Sequence, residues 1–245
     1  MHVFHVPLDM SSLISCSYFL FIAHTNLIQV QDVELISHAL GWKEFSIVGH
    51  SMGAAIGLLY AGTFPEKTSG LFLIDGIVPV QDSEDKACEN LRQSILKYAM
   101  VGKKQRAEPS LEAAEAKLLA SNAALTPASA RQLLRRGAIA SDGGYRFTRD
   151  IRVRLPPPIR LTQNMVNSFI ARVSCDVLLV VAENGLHSVV SDREKKQAEL
   201  LQQTCKSFEV VRVPGTHHVH MNDASVVAPH FQLFLQQQLA LSAKL

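Results

Sequence analysis

The sequence predicts an α/β fold, a mostly parallel sheet flanked by helices and interrupted by a helical insert. Three observations predict it. Between residues 44 and 75 a strand, a helix and a second strand follow one another with short links. Residues 84–137 then hold helix-like stretches and no good strand. From residue 175 the alternation of strand and helix returns. Such units imply parallel strands joined by right-handed crossovers. Their continuous apolar runs imply strands covered on both faces.

Each element has its own signal. "VFHVPL" (3–8) reads as a short strand ending at Asp9. "LISCSYFLFIAH" (13–24) is too short for a membrane span, and no basic residue precedes it as in a secretory signal. A buried strand or helix turn is therefore preferred over a signal or anchor. "IQVQDVELISHAL" (28–40) is a helix by the spacing of Ile28, Val33, Ile36 and Leu40, stopped by Gly41. "EFSIVGH" (44–50) is rich in strand formers. "SMGAAIGLLYAGTF" (51–64) is a helix of small residues with Pro65 just past its end, and "GLFLID" (70–75) is a buried strand. In the insert, "EAAEAKLLASNAAL" is the clearest helix, followed by the basic, proline-broken "RFTRDIRVRLPPPIR" (146–160) and a helix at 162–172. "CDVLLVVA" (175–182) and "SFEVVRVPG" (207–215) are strands, with helices at 191–203 and 223–239. The core is thus expected in 1–79 and 173–245, with a lid over a site in 80–172.

Composition narrows the class. The chain has 245 residues, 47% hydrophobic and 19% charged, enough for a sizeable core. A net charge of +2 does not suggest a nucleic-acid partner. Cys16, Cys88, Cys175 and Cys205 form no C-x-x-C pair, which points to free thiols in a reducing compartment.

The chemistry gathers at "VGHSMGAAIG". Gly49-His50-Ser51-Met52-Gly53 fits G-x-S-x-G, where a strand turning directly into a helix lifts the serine into strained backbone angles. Gly49 and Gly53 meet the steric demand where strand and helix almost touch. A glycine-rich contact with an idle serine is the alternative. The helix N-terminus also favours negative charge near Ser51, and the Met52 backbone N–H is one expected oxyanion donor. A serine needs a base, and "VPGTHHVHMND" offers three histidines after the last predicted strand. A zinc site there lacks an H-E-x-x-H motif or a cysteine set, so no metal is expected.

The elbow, the insert and the late histidines resemble the α/β-hydrolase fold. That resemblance implies His217 as base and His220 as the second histidine of a G-H-x-x-H-like stretch, with His218 the alternative base. In many members the acid follows the strand after the lid. Here Gly185 stands at that place in "VVAENGLHS". The resemblance then points to the other place used in this superfamily, the end of the preceding core strand, where Asp75 closes "LFLID". Glu183 is the alternative acid, and a strand-end cap is the other reading of Asp75. Epoxide hydrolases and dehalogenases of this fold use an aspartate nucleophile, where this chain has Ser51. "ALGWKEFSIVGHSMG", "LFLIDG", "LLRRGAIASDGGYRFTRDIRVRLP" and "VPGTHHVHM" further resemble the serine hydrolase-like proteins, over about residues 28–239.

The resemblance implies hydrolysis of a small-molecule ester or related acyl bond through an acyl-enzyme, with no cofactor. It also implies that the initial strands and a His-Gly oxyanion loop have no counterpart here, since "FIAHTN" lies too close to Ser51 to replace them. A catalytically impaired, truncated form that binds a ligand or partner is the alternative. Arg146, Arg149, Arg152, Arg154 and Arg160 read as a solvated lid edge, with an anionic substrate such as a CoA ester the competing reading. Ala243-Lys244-Leu245 is a variant of the S-K-L address and predicts the peroxisomal import receptor as partner, with cytoplasm the alternative location.

Overall fold

The computed structural model describes residues 3–7, 14–16, 26–100, 107–150, 153, 155–186 and 191–242. Most of 13–24, the guanidinium-bearing Arg152 and Arg154, and Ala243-Lys244-Leu245 lie outside the described residues.

A six-stranded sheet forms the centre, in the order Ile14–Cys16 (β2), Val3–Pro7 (β1), Phe45–His50 (β3), Thr68–Ile74 (β4), Asp176–Asn184 (β7) and Ser207–Thr216 (β8). Strands β3 (Phe45–His50), β4 (Thr68–Ile74), β7 (Asp176–Asn184) and β8 (Ser207–Thr216) run parallel. At the β3 edge, β1 (Val3–Pro7) pairs antiparallel with β3, and β2 (Ile14–Cys16) antiparallel with β1. The parallel strands arise as expected, because their apolar runs can only be satisfied by cover on both faces.

Alternate side chains enter two separate cores. Ile47, Leu71, Leu73, Val177, Leu179 and Val181 face one side. There they meet α1 (Asn26–Ala39), α2 (Met52–Thr63), α6 (Gln163–Ile170) and α7 (Asp192–Thr204). Val48, Phe72, Ile74, Leu178, Val180 and Ala182 face the other, against Phe234 of α9 (Ala228–Ser242) and Val219 of α8 (Val219–Asn222). Helix α2 is buried from Gly53 to Gly62, which explains its small residues. Its C-terminal end lies against α6, whose neighbour Arg172 donates from Nε to the Gly62 carbonyl at 3.0 Å.

The insert carries α3 (Ala87–Met100), α4 (Leu111–Ala120) and α5 (Pro127–Gly137), as the helical spacing predicts. Ser110 and Thr126 cap α4 and α5 by accepting backbone N–H bonds. The structure differs from the sequence reading in two elements. A hairpin, β5 (Ala138–Ser141) and β6 (Gly144–Phe147), follows α5 directly. Its turn is Asp142-Gly143, with Gly143 at φ 82°, the Asp-Gly signal for tight hairpins. Its strands are short and half-exposed, so they carry no apolar run to mark them in the sequence. The predicted final helix at 223–239 is also broken. Asp223 caps a short 3-10 turn at Ala224–Val226, and α9 begins only at Ala228.

In the basic stretch, Arg160 faces Asp82 at 3.5 Å rather than an open site. Among the described residues no helix is long and apolar enough to cross a membrane. Cys88, Cys175 and Cys205 are free thiols.

Candidate active site

Strand β3 runs straight into α2, and the turn is Ser51. Its φ of 54° and ψ of −118° are strained for a residue with a side chain. The turn is held by the Ser51 N–H donating to the Ile74 carbonyl at 2.9 Å. Gly49 is required sterically, because a Cβ there would lie 2.5 Å from the Gly53 carbonyl carbon and oxygen. As the first residue of α2, Met52 has an N–H without an intrahelical acceptor, the expected donor to an oxyanion. The stretch considered for a second donor, residues 21–26, lies outside the described residues except Asn26, which opens α1.

His217 follows β8 and meets Ser51. Its Nε2 lies 2.9 Å from the Ser51 Oγ. Its Nδ1 lies 2.6 Å from the Asp75 Oδ2. The structure thus brings together Ser51, His217 and Asp75 from the ends of β3, β8 and β4. Asp75 is fully buried and sits at φ 41°. Its Oδ1 accepts the Ala182 N–H at 3.2 Å and its Oδ2 the Leu186 N–H at 2.9 Å. Burial pushes its carboxyl up. The hydrogen bonds from His217, Leu186 and Ala182 and the His217 charge outweigh it and hold the carboxyl below its ordinary range. A carboxylate so held stays ionised beside an imidazole at neutral pH.

Neither alternative enters the hydrogen-bonded chain on Ser51. Glu183 is exposed at the end of β7. His218 instead accepts at Nε2 from the Asn122 side-chain amide at 2.9 Å. Burial and the nearby His217 push His218 down to about 4, so it remains neutral.

Gly185 explains where the acid has gone. A Cβ on Gly185 would overlap both carboxylate oxygens of Asp75. The two positions, at the ends of adjacent strands β7 and β4, address one point in space. Only one can carry a side chain, and here the other is glycine.

Sequence reasoning missed how the insert touches the histidine loop. Asn222 donates from Nδ2 to the Ala124 carbonyl at 2.7 Å and to the Thr216 Oγ1 at 3.1 Å. Its Oδ1 accepts from the Thr126 N–H at 3.0 Å and the Ser129 Oγ at 2.8 Å. Thr216 in turn donates to Ala124 at 2.9 Å. The α4–α5 link is therefore fastened to the segment that carries His217. The only sequence signal was an Asn five residues after a candidate base. Among the described residues no group of three or more His, Cys, Asp or Glu is arranged to hold a metal ion.

The family model described as the alpha/beta hydrolase fold matches residues 24–224. The chain is 33% identical to serine hydrolase-like protein 2 of Homo sapiens, over 88% of this chain and 73% of the relative. It is 31% identical to a serine hydrolase-like protein of Danio rerio, over 85% of this chain and 66% of that one. The chain thus spans about two thirds of the length of this relative. A crystallised hypothetical protein of Pseudomonas aeruginosa superposes with a TM-score of 0.79 at 32% identity, covering 91% of this chain and 77% of that one. A thioesterase domain from a curacin pathway, 20% identical with a TM-score of 0.68, shares the fold. Strand order, elbow and these matches converge: the chain belongs to the α/β-hydrolase family, in its serine hydrolase-like branch.

Proposed function

We propose that the chain is a serine hydrolase that cleaves an ester or related acyl bond through an acyl-enzyme. One observation carries the reading: the continuous hydrogen-bonded chain from Asp75 through His217 to Ser51, ending on a serine at a strained strand-to-helix turn. Asp75 accepts from Nδ1, so the neutral imidazole keeps its Nε2 lone pair toward Ser51. His217 takes the Ser51 proton as Oγ attacks the acyl carbon. The oxyanion that forms gains the Met52 N–H and the positive end of α2. His217 then passes the proton to the leaving oxygen, and the acyl–Ser51 ester remains. Water, deprotonated by His217, attacks that ester, and His217 returns the proton to the Ser51 Oγ as the acid leaves. The names of the human and zebrafish relatives support the hydrolase class.

A second reading is a non-catalytic form that binds a ligand or partner. It draws on the oxyanion side, where the elbow itself supplies one donor, Met52. Labelling of the purified chain by a fluorophosphonate probe separates the two. Labelling that Ser51→Ala and His217→Ala both abolish supports the hydrolase. A folded chain that takes no label leaves the binding form.

A further inference from the structure

His50 ends β3 and immediately precedes the elbow serine. Its ring sits among the three histidines of the loop after β8. The ring centroids lie 4.6 Å from His217, 5.1 Å from His218 and 4.2 Å from His220. Its Nε2 lies 2.7 Å from the backbone carbonyl oxygen of His217. A carbonyl oxygen only accepts, so this Nε2 carries the proton and donates.

No proton-transfer step described above uses this bond. It ties the backbone of the histidine loop to the strand that carries the nucleophile. The tie is independent of the Ser51–His217 contact, which the reaction breaks and remakes. Asp75 orients the ring of His217, while the His50 bond holds its backbone carbonyl. A displacement of about 1 Å in such a site costs on the order of 10² in rate.

We propose that His50 is a positioning residue, whose Nε2–H holds the His217 carbonyl and so keeps the His217 imaidazole aligned on Ser51 through the catalytic cycle. The inference rests on the serine hydrolase reading. Burial and the adjacent His220 push His50 down to about 2. Its ring therefore stays neutral, donates at every working pH, and adds no charge against the imidazolium that forms on His217.

The test compares His50→Phe, which keeps an aromatic ring and loses the donor, with His50→Gln, whose amide N–H can reach the place of Nε2. The readouts are kcat per site titrated with the fluorophosphonate probe, KM for a short p-nitrophenyl ester, and melting temperature. His50→Phe is expected to lower kcat about tenfold, as the loss of one hydrogen bond does. KM should stay within about twofold, and His50→Gln should restore kcat to within about threefold of wild type. A purely structural role would lower the melting temperature and leave kcat per titrated site unchanged, which overturns the proposal. So does a His50→Gln variant as slow as His50→Phe.

If the wild-type chain is not labelled, the hydrolase reading fails and ¹⁵N NMR of the histidines decides for His50 separately. A neutral Nε2–H tautomer between about pH 5 and 8 is expected, with His217 ring signals moved in His50→Phe and restored in His50→Gln. An Nδ1–H tautomer, or His217 signals unmoved by His50→Phe, overturns it.

Discussion

Moving the acid between strands tests the site most directly. Gly185 and Asp75 compete for one volume, since a Cβ on Gly185 would overlap the Asp75 carboxylate. Asp75→Asn removes the charge behind a 2.6 Å bond, and the amide can donate to Nδ1 and leave Nε2 protonated. Loss of this charge in a serine hydrolase lowers kcat on the order of 10⁴, about 5.4 kcal/mol of barrier. Gly185→Ala keeps every reacting group. It forces the carboxylate aside, which costs about 1–3 kcal/mol of stability by overpacking and should slow labelling about 10- to 100-fold. The double change Asp75→Gly with Gly185→Asp puts a glycine where φ is 41°, which it tolerates, and returns a carboxylate from the end of β7. The assay is the second-order rate of fluorophosphonate labelling, with melting temperature as the fold control. The double variant should label at least about 100-fold faster than Asp75→Gly alone, recovering about half of the lost barrier. Wild-type rates for Gly185→Ala, or a double variant as slow as Asp75→Gly, would refute the shared-volume argument.

Two further outcomes are expected. His50 and His218 are held neutral, with values pushed down to about 2 and about 4. Their stabilising contribution is complete above the unfolded histidine value near 6.5 and falls as pH drops below it toward the folded values. At pH 5.5 the deeply buried His50 contributes on the order of 1 kcal/mol less, and the half-exposed His218 less than that because solvent screens its charge. Asp75, held low, loses its contribution only as pH falls below about 4. Urea unfolding at pH 7.5 and 5.5 checks this; equal midpoints would contradict it. Asn222→Ala removes four hydrogen bonds between the α4–α5 link and the histidine loop, and takes from the Thr126 N–H its acceptor. A loss of about 2–3 kcal/mol is expected by the same unfolding measurement, with faster proteolysis between α4 and α5. Unchanged stability and cleavage would show that the link is not fastened there.

The fold and the centre of the site were legible for physical reasons. Parallel strands need apolar residues on both faces, so β3, β4 and β7 wrote themselves as continuous runs. The elbow needs glycines where strand and helix collide, so Ser51 stood out between Gly49 and Gly53. A histidine after the last strand followed from the family pattern. Short half-exposed strands carry no such pattern, and the β5–β6 hairpin left only its Asp-Gly turn as a sign.

What the sequence by itself determined was local: which residues must be strand, helix or turn, and that a serine sits at a strained corner beside a histidine-rich loop. What only the tertiary structure decided was which distant groups meet. Asp75 was one of two acids until the overlap with Gly185 showed that the ends of β4 and β7 address the same point. His50 read as part of the elbow until its Nε2 was found on the His217 carbonyl. Asn122 and Asn222 carried almost no sequence signal, because their partners lie on segments far away along the chain. Hydrogen-bond partners of that kind are fixed by how the sheet and insert pack, which no local pattern encodes.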